Sequence, residues 1–319
     1  MRNIFKDVLF SVAREDYKIE ANIIKNYSYN NILTVCSGGC IPLSIKVLYP
    51  EIDIVAYDIN PNQIDHCKKK QKAVANKDFD SLNIGKKNDF CLNQFGKFEK
   101  MFHLFRDSFI KNITNQKTID RFFNYMTSNK DRKAIIERWK KNDRIKIPFQ
   151  DTFNDEMIEK VFSDQATKQA TPGTYVQYFQ KKILNELPKP WSYTNPFLQH
   201  IFLGYYMSEK AFPYMDGDKN TRIKFFQGNI CDISNIESFD FVSLSNLFDW
   251  SSDSFVLQCI NKLIRLKTRS AILLRQLNNH RDWYPFFKDY FNEDKDFDLY
   301  WQEQDRSMFY DHFRLFIKK

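Results

Sequence analysis

The 319 residues include 31 Phe, 16 Tyr and 5 Trp against 8 Gly, so the chain can bury a sizeable core and has little material for long flexible linkers. Its formal charge of +8 is concentrated, because residues 97–150 carry 14 Lys/Arg against 6 Asp/Glu and the remainder is balanced. Six cysteines without C-x-x-C spacing argue against a zinc site or a disulfide framework, and no apolar run reaches the ~18 residues of a spanning helix.

In chain order, residues 4–27 read as a helical lead-in, with Ile19, Ile23 and Ile24 at helical spacing. A strand at 32–35 runs into the tight loop Ser37-Gly38-Gly39-Cys40 and a helix. A second strand at 52–57 ends at Asp58, and a helix begins at Pro61 with proline in its first turn. From about 86 to 215 the periodicity turns helical: Phe98, Met101, Phe102, Phe105, Phe109 and Ile113 form one stripe, and Ile119, Phe122, Phe123 and Met126 repeat it. These aromatic stripes read as core contacts ahead of a ligand groove. Strand signals return at 223–226, 239–244 and 270–275, and residues 297–300 and 313–317 suggest a closing hairpin.

The predicted fold class is α/β: a seven-stranded, doubly wound Rossmann-like sheet of the kind used by S-adenosylmethionine-dependent transferases. A large helical insertion is expected between its second and third strands. Residues 1–85 and 216–319 would form the two halves of the sheet domain, and 86–215 the insertion.

A glycine pair after one buried strand and an acid at the tip of the next is how such a fold holds a nucleoside. Asp58 follows Gly39 by 19 positions, near the expected interval of about 20. The loop lacks the full G-x-G-x-x-G, so S-adenosyl-L-methionine fits better than a pyrophosphate-bearing dinucleotide. The plainer alternative is a βα turn at Gly38-Gly39 and a helix N-cap at Asp58.

Ligands of open α/β sheets sit beyond the C-terminal strand ends, so the residues there are the site candidates. Ser37, Gly38, Gly39, Asp58, Ile59, Asn60 and Gln63 come from the first two tips. Asn229, Ile230 and Asp232 come from the third, with Asn229 or Asp232 on the adenine amino group and Ile59 and Ile230 sandwiching the ring; Asp232 serves equally as an N-cap. Ser245, Asn246 and Leu247 follow the fourth strand, where Asp249 is placed to act as a base or to stabilise a cation. Arg275, at the fifth tip, either grips the cofactor carboxylate or is a surface cation. Two dense clusters remain, Arg14-Glu15-Asp16-Tyr17 and residues 305–312.

These residues resemble the betaine-lipid synthase family of S-adenosylmethionine:diacylglycerol 3-amino-3-carboxypropyltransferases. The resemblance is carried by Arg14-Glu15-Asp16, Ser37-Gly38-Gly39-Cys40, Asp58-Ile59-Asn60-Pro61-Asn62-Gln63, Asn195-Pro196 with Gly204-Tyr205, Ser245-Asn246-Leu247-Phe248-Asp249, and Asp305-Arg306 with Phe309-Tyr310. It implies transfer of the aminocarboxypropyl group to an acceptor hydroxyl, with methylthioadenosine leaving. It also implies a base, for which Asp249 and Asp16 are the candidates, with Tyr310 as a third catalytic residue. The family commonly carries Trp where this chain has Arg14.

The partners expected on this reading are a lipid or small-molecule acceptor and an anionic membrane surface facing residues 97–150. The localisation expected is cytoplasmic, peripheral on the inner membrane face. Two other readings stand beside it. One is an ordinary methyltransferase acting on a lipid, a small molecule or nucleic acid. The other is a non-catalytic nucleic-acid-binding protein built on the basic segment, ranked last because the aromatic periodicity looks buried.

Overall fold

The computed structural model describes residues 7–162, 165–168, 170–216, 221–279 and 281–319. The strands are β1 (Asn31–Val35), β2 (Asp53–Asp58), β3 (Lys224–Gln227), β4 (Phe241–Ser243), β5 (Ala271–Gln276), β6 (Phe291–Asp294) and β7 (His312–Lys318). They form one mixed sheet in the order β3-β2-β1-β4-β5-β7-β6. The first five are parallel, and β7 runs antiparallel to both β5 and β6. This arrangement is compatible with a Rossmann-like fold. The chain reverses direction of travel across the sheet at β1, so the crevice at the C-terminal ends of β1 and β4 is the natural ligand position.

The central strands are buried on both faces, as parallel strands covered by helices must be. Successive residues therefore enter different cores. Ile32 packs on one face with α1 (Lys18–Tyr27) and α2 (Cys40–Leu48), while Leu33 packs on the other. After α3 (Pro61–Ala75) come α4 (Lys97–Asn112), α5 (Gln116–Phe123), α6 (Asn129–Lys140), α7 (Ile147–Phe153), α8 (Asp155–Phe162), α9 (Gln165–Lys168), α10 (Tyr175–Glu186) and α11 (Pro196–Phe202), all before β3. Phe102, Phe105 and Phe109 of α4, Trp139 of α6 and Phe153 of α7 belong to the same apolar cluster as Ile32, Ile54 and Leu273 of the sheet. One continuous core thus joins these helices to one sheet face. The opposite face is closed by α12 (Asp253–Leu263) and α13 (Tyr284–Phe287), through Val256, Ile260, Leu263 and Phe287.

Two expectations are corrected. Residues 297–300 are not a strand; they lie in α14 (Lys295–Gln304), and the sixth strand is the preceding Phe291–Asp294. The Asp294 side chain caps the helix by accepting from Phe297 N at 3.0 Å, and Asp296 and Asp298 add negative charge to its first turn. The lead-in helix begins only at Lys18. Residues 7–16 instead form an irregular strap across the strand tips, and the part of the expectation at 4–6 lies outside the described residues.

The strap is bonded along its length. Leu9 N and Phe10 N both donate to Gln63 Oε1, at 2.7 and 3.2 Å, while Gln63 Nε2 donates to Phe10 O and Ser37 O. Gly38 is required here: a Cβ would lie 2.5 Å from the Val12 carbonyl carbon and 2.6 Å from its Cα. Gly39 takes φ +78°, and its Cβ would meet Cys67 Sγ at 2.6 Å.

Beneath the strap, Arg275 of β5 is fully buried and forms two parallel bonds to Glu20 of α1, Nη1 to Oε1 at 2.8 Å and Nη2 to Oε2 at 2.9 Å. Its Nη1 also lies 3.4 Å from Glu15 Oε2. Removing this cation leaves two buried carboxylates facing each other. Arg275→Met is expected to cost about 3–5 kcal/mol of folding stability in urea unfolding.

Candidate functional site

A cleft opens where the strap crosses the ends of β1, β2, β4 and β5. It holds about 1010 Å³ of atom-free space, its mouth included. Its polar lining includes Arg14, Glu15, Ser37, Asp58, Ser245 and Tyr310. Its apolar lining is mainly aromatic, with Phe98 from α4, Phe162 from α8, Tyr175 and Phe179 from α10, and Trp250 and Phe309 from loops. Rings meet edge to face or tilted along this wall: Phe98–Phe162 at 5.2 Å, Phe162–Trp250 at 5.3 Å and Phe179–Phe309 at 5.5 Å between centroids. The helices between β2 and β3 therefore do more than fill the core; a few of their rings wall the cleft.

Within the polar lining, Asp58 is half-buried at the tip of β2. Its Oδ1 accepts from Asn60 N at 2.9 Å and its Oδ2 from Ser37 N at 3.2 Å. Burial outweighs these bonds and pushes its pKa up to about 6. Ser37 holds a left-handed φ of 45°, and Ser245 at the β4 tip one of 55°. Both non-glycine residues are in a strained conformation of the kind that collects at ligand sites.

Several predicted residues do not face the cleft. Gly38 and Gly39 are occupied by Val12 and Cys67, as described, so their backbones approach other protein groups. Gln63 reaches the cleft edge, but the bonds to the strap use its amide on both sides. Asn60 caps α3 by accepting from Asn62 N and donates to Asp7 O. Asn229 and Asp232 form a reciprocal capping box, Cys231 N to Asn229 Oδ1 at 2.7 Å and Asn229 N to Asp232 Oδ2 at 2.9 Å. Ile230 is fully buried in the second core, whereas Ile59 is half-exposed outside the cleft wall.

The acid–base candidates separate in the same way. Asp16 is buried and held by Arg306 through two bonds of 2.6 Å. Asp249 is buried behind the cleft wall, accepting from Leu277 N at 2.8 Å and Asn279 Nδ2 at 2.7 Å. Burial raises its pKa to about 7. Arg275 is engaged through Nη1 and Nη2 by Glu20 and Glu15, its Nε has no partner, and it does not line the cleft. Tyr310 does line it, and its hydroxyl donates to Glu15 Oε1 at 3.1 Å. The same oxygen accepts from Ser245 Oγ. Asn246 and Leu247 complete this edge.

Two functional candidates were not assigned from sequence. Glu15 and Arg14 both line the cleft, although the motif containing them stood out. Burial raises the Glu15 pKa against the pull of Arg275, Ser245 and Tyr310. Among the described residues, no group of three or more His, Cys, Asp or Glu could hold a metal, and all six cysteines are free thiols. No helix among them is long and apolar enough to cross a membrane. Comparison with family models, with curated proteins and with solved structures returns no match.

The burial of Asp249 gives a signed pH test. Its folded-state pKa, about 7, lies above the ordinary 3.8, so the folded protein takes up a proton that the unfolded chain does not between those values. Urea titrations should show wild type gaining stability relative to Asp249→Asn as pH falls from 8 towards 5. A stability difference that does not change with pH would remove the buried-carboxylate assignment.

Proposed function

We propose that the chain is an S-adenosylmethionine-dependent transferase that moves a 3-amino-3-carboxypropyl group to the hydroxyl of an apolar acceptor, with diacylglycerol as one fitting class. The observation that supports it is one cleft lined by Asp58, Ser37, Glu15 and Tyr310 together with an aromatic wall. The strand order, with an antiparallel β7 inserted between β5 and β6, agrees with the transferase sheet expected from sequence. On this reading, the helices from α4 to α11 are an insertion whose inner rings receive the acceptor. Its basic outer face would meet an anionic membrane surface from the cytoplasmic side.

The residues present fit the cofactor. Asp58 offers carboxylate oxygens to ribose hydroxyls at a strand tip, and Arg14 brings an incompletely paired buried cation into the same wall. S-adenosylmethionine, when bound, supplies a sulfonium-activated carbon and a neutral thioether leaving group. Glu15 takes the proton from the acceptor hydroxyl, either directly or through Tyr310, whose hydroxyl it already binds. Arg275 keeps a positive charge 3.4 Å from Glu15 Oε2 and so favours its ionised form before the proton arrives. The aromatic wall excludes water, which would otherwise compete with the acceptor hydroxyl. Glu15 thus replaces Asp249 and Asp16 as the base in this proposal, because neither of those carboxylates opens into the cleft.

Methyl transfer is the second reading, since the same cleft would serve it and only the aimed carbon differs. The nucleic-acid reading is not carried forward: Phe102, Phe105, Phe109, Phe122 and Phe123 are buried, which leaves those rings unable to stack on bases.

Incubation of the protein with S-adenosylmethionine and a lipid extract should release methylthioadenosine; S-adenosylhomocysteine as the product would favour methyl transfer. Asp58→Ala should abolish S-adenosylmethionine binding by calorimetry, and near-normal affinity would sink the ribose assignment. Glu15→Gln should lower turnover by about 10²-fold or more with cofactor affinity little changed. Unaltered turnover would exclude Glu15 as the base.

A further inference from the structure

Arg14 is buried in the cleft wall, one residue before Glu15, with its side chain 4% exposed. Its guanidinium lies over the Phe102 ring at 4.3 Å from the centroid and over the Phe98 ring at 5.8 Å. Only Nη2 has protein partners. It approaches Glu99 Oε1 at 3.4 Å, and at 3.0 Å it donates to His200 Nδ1. Nε and Nη1 have no hydrogen-bond partner and no exposed surface. Leaving such charged donors unpaired is costly, and a bound acceptor would recover that cost.

The charges around Arg14 point the same way. Glu99 is buried, and its other oxygen is used by Ser11 N at 2.6 Å. Through His200 and Gln94 the cluster reaches Arg106, whose Nη1 donates to His200 O at 3.0 Å and whose Nη2 donates to Gln94 Oε1 at 3.4 Å. Lys70, also fully buried, donates to Gly38 O at 2.7 Å. Three buried cations are therefore gathered around one buried carboxylate, with Asp89 further out and more exposed. His200 adds no charge of its own, since burial and the neighbouring arginines hold its pKa well below the ordinary value. The region carries a positive surplus that an arriving anion would reduce.

We infer that Arg14 forms a carboxylate subsite of the cleft and receives the α-carboxylate of the methionine portion of the bound cofactor, the role that Arg275 cannot fill. The inference rests on the transferase reading above. It makes Arg14 a binding residue, with Glu99 and His200 positioning it.

The test compares three nucleosides by calorimetry on the full chain: S-adenosylmethionine, its decarboxylated form and methylthioadenosine, which has no carboxylate. Wild type should bind S-adenosylmethionine about tenfold or more tighter than the decarboxylated form, the range of a charge-assisted hydrogen bond. Arg14→Gln should bind both equally, with methylthioadenosine affinity unchanged, and Arg14→Lys should restore part of the preference. Wild-type indifference to the carboxylate overturns the inference without any variant. So does an Arg14→Gln protein that keeps the wild-type preference, or one that loses methylthioadenosine as well. Failure of wild type to bind any of the three overturns the transferase reading, and this assignment with it.

Discussion

The buried contact of Arg275 with Glu20 and Glu15 is the constraint on which the rest of the molecule turns. Glu20 also accepts from Ser243 Oγ at 2.8 Å, so one acidic side chain of α1 is tied to β4 and β5 together. Arg275 remains charged because two carboxylates outweigh the cost of its burial and raise its pKa. That charge in turn allows Glu15 to sit inside an apolar-walled cleft, within reach of Ser245 and Tyr310. Replacing all three charged side chains together by apolar ones would suit the packing of this layer. It would also remove the field that makes a buried carboxylate usable.

The strap shows how a local motif acquires its reason from a distant segment. Gly38 looks like a ligand-facing glycine in the sequence, yet the close approach that forbids its Cβ is made by Val12. Gln63, His66 and Lys70 lie along one face of α3 and bond in turn to Phe10, Ser11 and Gly38. Two of these groups fix the strap and Lys70 holds the Gly38 loop against which it lies, and the strap delivers Arg14 and Glu15.

Strands were legible where short, β-branched runs sit between turn residues, as in β1, β2 and β5. The last hairpin was misread because 297–300 is apolar enough for a strand, whereas the cap supplied by Asp294 decides for helix. At the site, Asp58 was legible because an acid at a strand tip is positioned by the fold itself. The motif Arg14-Glu15-Asp16 was not, because its backbone is irregular and no period assigns side-chain direction. Three successive residues turn to Glu99, Arg275 and Arg306. Spacing alone could not have separated the cleft carboxylate, Glu15, from the structural one, Asp16.

Those partners lie far along the chain. Glu15 is bonded to Tyr310, 295 positions away, and Asp16 to Arg306, 290 positions away. Such contacts carry a large loop-closure cost and form after local structure is in place. During synthesis residues 14–16 must wait, with their charged groups unpaired, until residues 306–310 have left the ribosome. The cleft wall that holds Glu15 and Tyr310 is thus assembled only after those residues emerge, well behind the local structure that surrounds it.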